Sequence, residues 1–146
     1  MIILYGGIKM IIKKLRISNL YGQNDNKEIE FDEKLTFLYG ANGCGKTTVL
    51  NILASIVTGK IYNLIDYTFD TIELFFYDHK NKEERIIINM ISDENNKRLL
   101  KINLDNENYK IEDIDNLRER MYRKAEDEKI DRTFFGMYPF LNNIVN

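Results

Sequence analysis

Residues 38–48 read LYGANGCGKTT: glycines at 40, 43 and 45, then a lysine and two threonines, behind the apolar run LTFLY. No other stretch restricts the fold as tightly. Closely spaced glycines supply backbone angles that residues with a Cβ resist, so successive N–H groups can turn inward around one point. A helix starting near Lys46 would aim its positive end at that same point. The arrangement therefore asks for a strand before it, a helix after it and an anion in the middle. In the Walker A spacing, Gly40, four residues, then Gly45, Lys46 and Thr47, each member has a task. The main chain of Gly40, Ala41, Asn42, Gly43, Cys44 and Gly45 would line the cradle. Lys46 would reach the outer phosphates of ATP and carry the catalytic charge. Thr47 would hold Mg²⁺ through its hydroxyl, and Thr48 would add a bond to the innermost phosphate.

The flanks supply that context. Residues 11–18 (IIKKLRIS) and 27–31 (KEIEF) read as two strands joined by a polar turn at 22–26, and residues 35–39 read as a third strand leading into the glycines. After Lys46, apolar residues at 49, 50, 52, 53, 54, 56 and 57 fall on nearly every face of a helix, which predicts a buried one ending at Gly59. From Thr71 the period changes to two. TIELFFY, RIIINMI, RLLKINL and a short YKI, separated by polar clusters, predict an antiparallel meander. Residues 111–130 read as an amphipathic helix with Ile114, Leu117, Met121 and Ala125 on one stripe, and an apolar tail follows.

At 146 residues the chain fits one domain, and no repeat or low-complexity linker divides it. Its 44% apolar and 30% charged residues are those of an ordered protein. A net charge of −2 supplies no global field for nucleic acid, so such binding would need a local patch or a partner. The single cysteine cannot form an internal disulfide, which fits a cytoplasmic location, and the apolar runs are too short to span a bilayer. Residues 1–9 carry no recognisable leader. They invite the reading that translation starts at Met10, with Gly6 and Gly7 encoded by a purine-rich ribosome-binding sequence. An N-terminal peptide beginning at Met1 in the native protein would exclude it.

IIKKLRISNLYG, the strand pair, and LTFLYGANGCGKTTVLNILASI together resemble the N-terminal lobe of ABC-type ATPases of the chromosome-maintenance, DNA-repair and phage-defence branch, often labelled AAA-family ATPases. The resemblance covers residues 10–110, and Asn42 and Gly43 match that branch's version of the loop. It implies an α/β P-loop NTPase fold, a partial ABC-type lobe binding Mg-ATP. It also implies that Tyr21, in the loop after the first strand, lies against adenine or ribose; an ordinary loop aromatic is the alternative.

Hydrolysis in that family needs a glutamine that positions water, an Asp-Glu pair after a buried strand, a Ser-Gly-Gly signature and a switch histidine. The one glutamine here, Gln23, precedes the loop, and Gly136 is the one glycine after Gly59. His79 and the pair Asp93 and Glu94 lie in polar clusters that read as turns. Cys44, near a helix start and Lys46, is either a reactive thiol or simply a small side chain. Lys9, Lys13, Lys14 and Arg16 read as the wet face of a strand. The expectation is a nucleotide-binding half whose remaining groups come from a protein partner or another copy. A non-catalytic interaction protein, or a truncated remnant keeping the fold, is the alternative. A small nucleotide kinase is disfavoured, since no recognisable lid arginines follow the helix.

Overall fold

The alternating pattern that predicts the meander folds as expected. The computed structural model describes residues 1–5, 8–58, 60–78, 80–104 and 107–111. Among the described residues the strands are β1 (Ile2–Tyr5), β2 (Ile8–Ser18), β3 (Asn26–Glu30), β4 (Thr71–Tyr77), β5 (Glu83–Ser92), β6 (Arg98–Leu104) and β7 (Glu107–Ile111), with one α-helix, α1 (Lys46–Val57). All seven strands join one sheet in the order β1-β2-β4-β5-β6-β7, with β3 also paired to β2. Every described pairing is antiparallel. An antiparallel sheet carrying a helix is an α/β architecture, as the sequence predicts.

Registry explains which face becomes the core. Ile17 stands opposite Ile72, Ile72 opposite Ile88, and Ile88 opposite Ile102, and each of the four is 1% exposed or less. Directly opposed residues share a face, so these form one continuous apolar row across four strands. On β2 the inward positions are Ile12, Leu15 and Ile17, a change of phase that strict alternation forbids. A bulge between Ile12 and Lys14 absorbs the extra residue, which is why the consecutive lysines 13 and 14 do not bury a charge. Val49, Ile52, Leu53, Ile56 and Val57 of α1 complete the core, together with Ile61 and Leu64 of the 3-10 segment Ile61–Asp66.

Two expectations need correction. Residues 35–39 form no strand; instead Leu35, Phe37 and Tyr39 are 62%, 77% and 93% exposed. A strand needs a neighbour, and among the described residues none pairs with this segment. Its start is held as a turn by Asp32, whose carboxylate accepts the amides of Lys34 at 2.8 Å and Leu35 at 3.3 Å. Helix α1 buries one broad stripe rather than nearly every face, since Leu50 and Ala54 are exposed. It ends at a Thr58 cap, with Gly59 next in the sequence, the position a glycine stop is expected to take. β1 is an addition: Ile2–Tyr5 is too short and too uniformly apolar to carry an alternation signal. Residues 112–146, with almost all of the predicted amphipathic helix and the apolar tail, and His79 lie outside the described residues.

The outer face of β2 and β3 is a lattice of ion pairs. Lys14 pairs with Glu28 at 3.2 Å and Glu30 at 3.3 Å, Lys13 with Glu33 at 3.1 Å, and Arg16 with Glu28 and, at 3.8 Å, Glu73. Lys13, Lys14 and Arg16 thus lie among carboxylates, as a wet strand face requires. The Arg16 guanidinium, seconded by Lys14, holds the Glu28 carboxyl below its usual range. A depressed folded-state pKa contributes stability that is complete above the unfolded-state value and is lost as pH falls through the folded one. Acidification through that window is therefore expected to lower the urea midpoint. Glu28→Gln should flatten this dependence, and so should 1 M salt, where the Debye length is about 3 Å. Parallel pH profiles for variant and wild type would contradict the assignment.

Candidate functional site

The glycine loop is built from the helix outward. An α-helix leaves its first N–H groups without intrahelical acceptors, and ordinarily a Ser, Thr, Asp or Asn side chain caps them. Here the N-cap is Gly45, in the left-handed region at φ 90°, with no side-chain cap and no acid in the first turn. The first α-helical bond is Val49 N–H to Gly45 O, at 2.9 Å. Upstream, Gly43 is also left-handed at φ 82°, and Cys44 N–H donates to Ala41 O at 3.3 Å, closing a tight turn. Among the described residues, no acceptor meets the amides of Asn42, Gly43 or Gly45. Gly40 is favoured for a different reason. A Cβ there would stand 2.8 Å from Cys44 Sγ, inside contact distance.

Lys46 folds back across this loop. Its Nζ donates to Gly40 O at 2.6 Å and Ala41 O at 2.9 Å and lies 3.7 Å from Cys44 Sγ. The ammonium therefore spans both ends of the turn. Thr47 is exposed and Thr48 half-buried in the first turn of α1. Residues 40–45 thus form an uncapped turn spanned by the Lys46 ammonium, with Thr47 and Thr48 next in the first turn of α1. Chemically it is equipped to receive an anion with several oxygens.

Other candidates lie elsewhere. Tyr21 is half-exposed, left-handed at φ 56°, with its amide on Thr68 O at 2.8 Å and its ring 6.5 Å from Tyr67. Tyr67 in turn lines an open cleft of about 340 Å³ with Asn51, Ser55 and Asn63, along the C-terminal half of α1. Asp93 Oδ1 accepts the amides of Asn95 and Lys97, both at 2.8 Å, so this carboxylate fastens the β5–β6 turn. Cys44 is a free, exposed thiol. Among the described residues no group of three or more His, Cys, Asp or Glu side chains gathers to hold a metal. No helix there is long and apolar enough to cross a membrane.

One neighbour of the loop is not apparent from local sequence. A Cβ added to Gly45 would lie 3.9 Å from Lys27 Cε, so the inner end of β3 abuts the helix start. The sole hint in the sequence is a lysine in phase with Ile29 on a strand whose other side carries the acids.

A family model described as AAA domain matches residues 14–144, from β2 through the loop and beyond the described residues. The chain belongs to the AAA domain family. No curated protein gives a match. An AAA domain is ATPase-like and nucleotide-binding in class.

Proposed function

We propose that this AAA domain binds Mg-ATP through residues 40–48, as the nucleotide-binding lobe of an ABC-type P-loop ATPase of the chromosome-maintenance, repair or defence branch, acting in the cytoplasm. The observation that carries the reading is the uncapped N-terminus of α1 behind two left-handed glycines, with Lys46 over the turn. Phosphate oxygens would take the unclaimed amides, and Lys46 would exchange its two carbonyl partners for the outer phosphates. Thr47 fits Mg²⁺, which prefers hard oxygen donors and completes its shell with phosphates and water. Bound there, the metal would neutralise phosphate charge. Tyr21 packs toward Tyr67 rather than the glycine turn, so the ordinary loop aromatic is the reading its surroundings favour.

Titrating Mg-ATP into the pure chain is expected to give saturable binding with negligible turnover. The absence of saturation at millimolar Mg-ATP would overturn the reading. The groups needed for turnover are assigned to a protein partner or another copy that brings the missing lobe. Leu35, Phe37 and Tyr39, exposed at alternate positions directly before the loop, favour such a partner. They equally favour the second reading, an interaction protein in which the loop is vestigial. Light scattering is expected to report association of the isolated chain, and a stable monomer would count against the partner.

A further inference from the structure

β3 carries a cation on the wrong face. Its outward residues Glu28 and Glu30 meet Lys14 and Arg16, whereas Lys27 stands opposite Ile17 and Ile29 opposite Leu15. Cross-strand partners point the same way, and Ile17 and Leu15 are each 1% exposed, so Lys27 projects from the core side of the sheet. An ammonium is costly to bury, and a lysine so placed runs its stem along apolar surface until the head reaches water. Here the stem emerges beside Gly45, the residue that opens α1. The head pairs with Asp25 at 3.1 Å, and that carboxylate side chain is 47% exposed. An exposed pair of this kind is weak and readily exchanged.

Resting on the nucleotide reading above, we propose that Lys27 is a second phosphate-binding cation of this site: when a polyphosphate occupies the loop, its ammonium leaves Asp25 for the phosphates beside Gly45. Lys46 and Lys27 approach the loop from different elements, one from α1 and one from the inner face of β3. The pair would flank the anion, and the exchange swaps one carboxylate partner for a more highly charged one.

The test compares Mg-ATP and inorganic tripolyphosphate binding to the full chain across wild type, Lys27→Met, Lys27→Arg and Asp25→Asn. Methionine keeps an apolar stem against Gly45 and removes only the charge. Lys27→Met is expected to weaken both ligands by about tenfold, as loss of one charge-assisted bond would, and to flatten the dependence of affinity on salt. Lys27→Arg should recover most of the affinity. Asp25→Asn should bind at least as tightly as wild type, because it removes the competing negative charge. Unchanged ATP binding by Lys27→Met would overturn the proposal, as would an Asp25→Asn loss equal to that of Lys27→Met, which marks a purely structural pair. Weakened ATP with unchanged tripolyphosphate would move Lys27 to the base or ribose and overturn the phosphate assignment. If Lys46→Ala abolishes binding while Lys27→Met does not alter it, this inference fails alone. If wild type binds neither ligand, the nucleotide reading fails and takes this inference with it.

Discussion

Lys46→Ala is expected to weaken Mg-ATP binding at least about a hundredfold while leaving the urea midpoint little changed. A hydrogen bond to a charged group contributes roughly 1.5–3 kcal/mol, and two such bonds to phosphate oxygens exceed the ~2.7 kcal/mol that a hundredfold represents. The side chain touches the carbonyls of Gly40 and Ala41 rather than the core, so its removal should loosen the turn and spare the sheet. Lys46→Arg should not rescue binding. A planar guanidinium is bulkier than an ammonium, and the turn is so tight that even a Cβ at Gly40 would meet Cys44 Sγ at 2.8 Å. Calorimetric titration of the three proteins decides the matter. Affinity for Lys46→Ala within a few-fold of wild type would show that nucleotide, if bound, sits elsewhere.

What could be read from the sequence was what is local. The glycine turn and the helix after it were legible because their members are contiguous and glycine's permissiveness is a property of single residues. The meander was legible because burial on one face of an antiparallel pair writes a period of two directly into TIELFFY. Less visible was anything fixed by a distant neighbour. Residues 35–39 have the composition of a strand, yet pairing is a property of two segments, and the second is absent among the described residues. Lys27 belongs to the same class. Only the β2–β3 register and the docking of α1 bring its stem to Gly45.

The exposed face of residues 35–39 has a consequence for the site itself. Residues 32–45 carry no described ladder, so the loop is held mainly from its helical side. Among the described residues, the upstream anchors include Asp32 with Thr36 at 2.9 Å, the Met1 ammonium on Asp32 O at 2.7 Å, the Lys13–Glu33 pair and the Phe31 amide on Lys13 O at 2.8 Å. A strand added beside residues 35–39 would fix the loop from its other end. Ordering the loop before nucleotide arrives removes part of the entropic cost of binding, so partner and nucleotide would then reinforce one another.

The helical side can be tested by comparing two apolar residues of α1. Ile52→Ala is expected to destabilise the fold by roughly 2–5 kcal/mol, whereas Leu50→Ala should stay within about 0.5 kcal/mol. Ile52 is fully buried in the cluster that joins α1 to β2, β4 and β5, and truncation there leaves a cavity. Leu50, two positions away, is 48% exposed. Alanine is the better helix former in both cases, so a loss at 52 must come from packing against the sheet rather than from the helix itself. The readout is the urea midpoint at constant slope, since a changed slope would signal loss of two-state behaviour. On the proposed reading, Mg-ATP affinity of the folded Ile52→Ala fraction should also fall, because α1 carries Lys46 and Thr47 in its first turn. Equal destabilisation by both variants would mean that Leu50 is covered as well, so that the all-round apolar pattern of this helix reflects a second packing surface supplied by a partner.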